Sequence, residues 1–308
     1  MFGLSIDTAK ARSHYSHLLN SNRMGIVTAM ASSTERISLR KKAHSGQAED
    51  LFQLACSYDF DRPKDKRAAI RWYKKAAKLG HADAQNFLGE SYREGWSTKQ
   101  NYEKAVQFFK LAAKQGQIDA QVSLGVCLRY GEGIERNDEQ ALKWYRRAAK
   151  NGNDKAMSNI GRMYMDGEAV QQSWSKAIYW YKKAAALGNV TAMHWLGRIY
   201  NGQEEYPEDL RQAIHWLEKA ASEGDMQSQT DLAIHYINGT GVEEDVFRAV
   251  ELYRLAAEQG DTWAQHLLGV CYRDGDGVRK NIRVAITWWK KAAKEHPEAR
   301  KQLKKFDK

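Results

Sequence analysis

At 308 residues, 43% of them apolar and 28% charged, the chain has the size and make-up of one or two water-soluble domains with ample core. No run of about 18 apolar residues exists, which excludes a helical membrane span. The three cysteines (Cys56, Cys127 and Cys271) are far apart and outside any CxxC, which argues against a disulfide scaffold or a zinc site and for a reducing, cytoplasmic setting. The net charge of +10 sits at the ends: residues 1–45 carry seven basic and two acidic side chains, residues 290–308 carry eight and three, and the middle carries 33 of each. That middle is polarised, basic over 46–187 and acidic over 188–289. A nucleic-acid binder shows one continuous basic face, so this pattern favours oriented docking to a protein over polyanion binding.

In chain order, residues 1–45 read as an irregular or flexible, at most weakly helical, lead-in. Their apolar run is too short and too far from Met1 for a secretory signal. From there a single pattern takes over. Gly80, Gly116, Gly152, Gly188, Gly224 and Gly260 stand 36 residues apart, and Gly46 precedes them by 34. Counting from each glycine, Leu or Ile holds +8, Gly or Ala holds +9 and Tyr dominates +12. Alanine fills +25, +32 and +33, and large apolar residues, mostly Trp-Tyr, hold +28 and +29. Self-similarity at this period predicts seven stacked units over 46–296. The spacing +4, +8, +12 gives one helical face and +25, +28/29, +32 a second, so each unit is two helices. Position +21 reads Asp65, Asn101, Asn137, Ser173, Asp209, Asp245 and Asn281, the residue types that cap a helix N-terminus, and all seven are expected to do so. Pro297 opens a final polar helix near 297–306, within a 297–308 cap and tail.

The pattern A-x-x-x-L-G-x-x-Y-x-x-G-x-G-V … A-x-x-W-Y-x-x-A-A-x-x-G resembles the Sel-one-like repeat, a relative of the tetratricopeptide repeat. The resemblance covers 46–296 and implies an all-α, right-handed superhelical α/α solenoid. It further implies an adaptor that holds other proteins together, with no enzymatic activity and no cofactor. Some relatives are cysteine-rich and labelled β-lactamases, but their paired cysteines are missing here, which sets that activity aside.

In the related tetratricopeptide fold the first helix of each unit lines a concave, peptide-binding wall. The matching columns, +6, +10 and +13, hold Asn86, Glu90, Arg93, Arg129, Ser158, Arg162, His194, Arg198, Asn201, His266 and Arg273. Five arginines at such positions suit a peptide's carboxylates and carbonyls; an ordinary solvated face is the competing reading. A second candidate surface is the loop "NGQEEYPEDL", with Glu204, Glu205, Tyr206, Glu208 and Asp209 in place of the usual turn. The basic column +30 (Lys74, Lys110, Arg146, Lys182) leaves a polyanion along the N-terminal half as an alternative. The run "DGDG" at 274–277 suggests a calcium loop, but an EF-hand register would put Tyr272 and Arg283 at ligand positions. It is expected to be the turn between two helices, with no metal.

Overall fold

The computed structural model describes residues 33–58, 63–95, 98–202 and 207–306, which contain sixteen helices and no strand. The chain divides into two compact units, Met1–Arg147 and Ala148–Lys308. The first holds α1 (Ser33–Ala43), α2 (Ala48–Cys56), α3 (Pro63–Lys78), α4 (Ala82–Glu94), α5 (Tyr102–Lys114), α6 (Ile118–Tyr130) and most of α7 (Asp138–Lys150). The second continues with α8 (Asp154–Asp166), α9 (Trp174–Ala186), α10 (Val190–Tyr200), α11 (Leu210–Ser222) and α12 (Met226–Asn238). It ends with α13 (Val246–Gln259), α14 (Thr262–Asp274), α15 (Ile282–Ala292) and α16 (Pro297–Leu303). Helix α1 lies inside the segment expected to be irregular. Residues 1–32 lie outside the described residues.

Both helices of a repeat are started by side chains. At +21, Asn101, Asn137, Ser173, Asp209, Asp245 and Asn281 each accept the backbone N–H three residues on. Asp65 does not: α3 begins at Pro63, so Asp65 sits in the first turn, where its carboxylate suits the helix dipole and lies 3.7 Å from Arg36. The deletion of two residues in this unit moves the helix start upstream. A second capping column, beyond those expected from the sequence, starts the first helices. At +1, His81, Gln117, Asn153, Asn189, Asp225 and Asp261 cap the first helices in the same way. The turn between the two helices is held by one recurrent bond, from the +21 amide to the +12 carbonyl: Asn101 to Tyr92 at 2.7 Å, Asn137 to Leu128 at 2.8 Å, Asn281 to Tyr272 at 2.7 Å. The DGDG run is this turn. Gly275 ends α14 at φ 91°, and an added Cβ on Gly277 would meet the Val246 carbonyl oxygen at 2.5 Å.

The alanine columns explain the close packing. Ala69, Ala105, Ala141, Ala177, Ala213, Ala249 and Ala285 at +25 are all fully buried. The two halves of the Trp-Tyr pair have different jobs. The +29 ring packs inward on the +9 glycine of its own repeat: a Cβ on Gly89 would lie 2.5 Å from Phe109, and one on Gly125 would lie 2.5 Å from Tyr145. The +28 tryptophan stays half-exposed, with a cation at +31 over its outer face: Lys75 on Trp72 at 4.4 Å, Arg147 on Trp144 at 4.8 Å, Lys219 on Trp216 at 4.8 Å and Lys291 on Trp288 at 4.0 Å. Successive repeats are tied by a buried glutamine at +5. Gln85, Gln121, Gln229 and Gln265 donate to the last-turn carbonyls of Ala77, Ala113, Ala221 and Ala257, each of which also accepts the N–H of the glycine three residues on.

Candidate functional site

The predicted wall residues are best followed unit by unit. In the first unit Asn86, Glu90 and Arg129 are buried. Glu90 accepts from Ser123 Oγ at 2.5 Å, bridging α4 to α6, and lies 3.7 Å from the Arg93 guanidinium. Arg93 also grips Glu94 through Nε and Nη2 at 2.9 and 2.8 Å. Burial opposes its charge, but Glu90 and Glu94 outweigh that and raise its pKa. Arg129 sits over the Tyr130 ring at 5.2 Å. This part of the predicted ladder is therefore a seam between successive first helices.

In the second unit Ser158, His194 and His266 are likewise buried. Column +6 points into the seam between first helices, where His194 meets Ser228 of the next repeat. The accessible members are different. Arg162 pairs with Asp166 at 2.6 Å and lies over Trp195 at 4.5 Å, and Arg198 lies over the same indole at 5.0 Å. Trp195, half-exposed, is thus framed by guanidinium groups from consecutive repeats. Arg273 is held by Asp274 and by Gln302 Oε1 at 3.3 Å. Asn201 joins Asp231, Ile234, His235, Asn238 and Thr240 around a cavity of about 220 Å³. Trp195, Asp231 and His235 were not among the expected site residues. Of the acidic loop, Glu204, Glu205 and Tyr206 lie outside the described residues. Glu208 is exposed, and Asp209 caps α11 by accepting from Gln212 N at 3.1 Å.

One constellation resembles hydrolytic machinery. His194 Nδ1 lies 3.0 Å from Ser228 Oγ and 3.5 Å from Asp225. A working triad needs serine and aspartate on opposite ring nitrogens, whereas both address Nδ1 here. Ser228 is fully buried, and burial, outweighing Asp225, lowers the His194 pKa. The thiols are equally unsuited to attack: burial pushes Cys56 and Cys271 up to about 11 and Cys127 up to about 12. Among the described residues no three His, Cys, Asp or Glu side chains gather in a way that could hold a metal ion. No helix there is long and apolar enough to cross a membrane. The basic alternative has a surface of its own, a groove of about 430 Å³ along α3 lined by Arg67, Ile70, Arg71, Lys74, Lys75 and Lys78.

His266 gives the second unit a pH dependence. Its ring stacks on Trp263 and on His296 (4.7 Å), the residue that leads into α16. Burial first, then His296, then Arg273 push its pKa down to about 4, with Glu298 pulling the other way. The unfolded histidine titrates near 6.5. Between about pH 6.5 and 4 the unfolded state therefore holds more protons, so this site stabilises fully above that window and progressively less as pH falls through it. Urea unfolding from pH 7 to pH 4 is expected to show a smaller loss of stability in His266→Gln than in the unsubstituted chain. Equal losses would show that the stack is not responsible.

The Sel1 repeat model matches seven consecutive segments: 48–81, 82–117, 118–153, 154–189, 190–225, 227–261 and 264–296. No curated protein matches the chain significantly. Among solved structures, the chain is similar to the protective antigen c5321 of uropathogenic Escherichia coli, which displays an SLR fold. The TM-score is 0.72 at 33% identity, over 84% of this chain and 56% of that one. The chain thus spans little more than half of that relative's length. It is also similar to a Sel1 repeat protein from Oxalobacter formigenes, with a TM-score of 0.63 and 28% identity over 83% of this chain and 96% of that one. With its seven matched segments, its capped two-helix repeats and these neighbours, the chain belongs to the Sel1 repeat family.

Proposed function

We propose that the chain is a non-enzymatic interaction module that binds a peptide segment of a partner protein along the exposed face of the first helices of its second unit, centred on Trp195. Sel1 repeat proteins generally mediate protein–protein interactions. The observation that carries the reading for this chain is the half-exposed indole framed by Arg162 and Arg198 at 4.5 and 5.0 Å. An aromatic anchor flanked by guanidinium groups combines apolar area with directional donors, the composition of interaction hot spots. The buried thiols and the mismatched His194–Ser228 geometry speak against nucleophilic catalysis.

Selection of displayed peptides on the purified chain tests this. Binders are expected to lose at least tenfold in affinity on a variant carrying Arg162→Ala, Trp195→Ala and Arg198→Ala whose helical content is unchanged. If every selected peptide binds that variant as tightly, the face is not the docking surface. The groove along α3 supports polyanion binding as a second reading, which a DNA gel shift at low salt would reveal.

A further inference from the structure

The repeat provides its own control for the cavity beside Asn201. Position +7 is held by Gln53, Phe87, Ser123, Asn159, Trp195 and Leu267 in the other units, but by Asp231 here. Position +11 is held by Ser57, Ser91, Cys127, Met163, Ile199 and Cys271, but by His235 here. Packing the fold therefore calls for neither a carboxylate nor an imidazole at these places, yet both appear one turn apart on α12 and line the same space of about 220 Å³. Titratable side chains at positions a fold fills elsewhere with non-titrating or thiol residues mark sites kept for something other than stability.

One carboxylate, Asp231, sets the charge of this cavity. Asp231, half-buried, makes no hydrogen bond or ion pair of its own. His235 is buried, and its Nδ1 lies 2.8 Å from the Thr240 carbonyl oxygen. A carbonyl can only accept, so Nδ1 carries the proton and Nε2 of the neutral ring is an acceptor. Gly239, at φ 63°, turns the chain so that Thr240 reaches back over α12. Asn201, Asn238 and Thr240, whose side chains both donate and accept, and the apolar Ile234 complete the lining, so Asp231 is the one carboxylate in it. Its complement is a cation with several planar donors. A metal ion would need more ligands than the described residues gather.

We propose that this cavity is the specificity pocket of the docking surface described above, on which the assignment rests, and that it takes the guanidinium of a partner arginine with Asp231 as its counter-charge. A guanidinium offers five donors in a fixed fork, which matches a carboxylate flanked by neutral acceptors better than an ammonium does. The charged groups that face Asp231 are Arg198 on α10 and Asp225 and Asp261 at the starts of α12 and α14, and the titratable His235 lies on its own helix. Burial, outweighing Arg198 and helped by Asp225 and Asp261, holds the Asp231 carboxyl up at about 6. The pocket is thus charged at neutral pH and loses its counter-charge below about pH 6.

N-acetyl-arginine amide, titrated into the isotope-labelled full chain and followed by NMR, tests the assignment directly. Saturable shifts centred on Asn201, Asp231, His235 and Thr240 are expected. Affinity should fall at least tenfold with N-acetyl-citrulline amide, which keeps the shape and loses the charge. A similar loss is expected for Asp231→Asn and for Asp231→Leu, the latter carrying the residue that Leu267 already supplies in the next repeat. Affinity should also drop several-fold between pH 7.5 and pH 5. Because Asp231→Leu removes an unpaired carboxylate, its melting temperature is expected to rise, which separates lost binding from lost fold. Equal binding of citrulline amide, or undiminished arginine binding by Asp231→Leu, overturns the proposal. Peptides that dock on Trp195 while arginine amide leaves the cavity unshifted would also overturn it, leaving the docking surface in place.

Discussion

Replacing Gly133 by alanine is expected to destabilise the first unit by about 3 kcal/mol or more, a loss three times that expected for Gly116→Ala. Both glycines have positive φ, 66° and 91°, so both substitutions carry the strain of a side chain in the left-handed region, about 1 kcal/mol. Their surroundings separate them. Nothing lies within 4 Å of a Cβ added at Gly116, whereas one at Gly133 would sit 2.2 Å from the carbonyl carbon of Tyr102 and 2.4 Å from its oxygen. Tyr102 begins α5, the second helix of the preceding repeat, and helix backbone cannot swing aside as a side chain can. The turn must lift off its neighbour, and the contact between repeats goes with it. Urea unfolding followed by circular dichroism measures both variants; equal losses would show that the turn does not rest on α5.

Trp289→Ala is expected to cost about 3–5 kcal/mol, the range for truncating a fully buried aromatic side chain. The indole is completely buried, packs on Gly269, donates from Nε1 to the His266 carbonyl at 3.1 Å and stacks on Phe306 at 5.8 Å. It joins α14, α15 and the chain beyond α16. Each repeat of such an array contacts only its neighbours, so a lost core ring is felt first in the helices that it joins. Hydrogen exchange is therefore expected to show α14 to α16 opening well before α8 to α11 in this variant. Trp289→Phe should recover part of the stability, because Tyr145 and Tyr181 fill the same column one ring smaller. Uniform loss of protection across the second unit would mean that the end does not behave as a separable element.

The seven repeats could be read from the residues because each column answers a single physical demand. Glycines with positive φ close the helices, alanines let them approach, and Asn101, Asn137 and Asp245 start the second helix of their repeats. The capping column at +1 was equally present in the sequence. Its residue types make it harder to see, because His81 and Gln117 are uncommon caps beside the Asn and Asp that follow. Asp65 failed as a cap for the opposite reason: it kept the residue type while the helix start moved away from it.

The candidate site was only partly legible. Offset arithmetic identified Arg162, Arg198 and Asn201, which stay accessible, but it also selected Asn86, Glu90, Arg129, Ser158, His194 and His266, which are buried. A polar residue looks the same in sequence whether it meets water or a buried partner. Only the distance between neighbouring helices decides which, as Ser123 does for Glu90 and Ser228 for His194. The number of repeats, the helix pair within each and the turns that join them are local properties, set by periodicity and by residues with special backbone preferences. Which side chains reach solvent, that Trp195 lies between two guanidinium groups, and that Asp231 and His235 share a cavity with Asn201 were decided by tertiary packing, because each depends on residues about a repeat apart being brought to within a few ångströms.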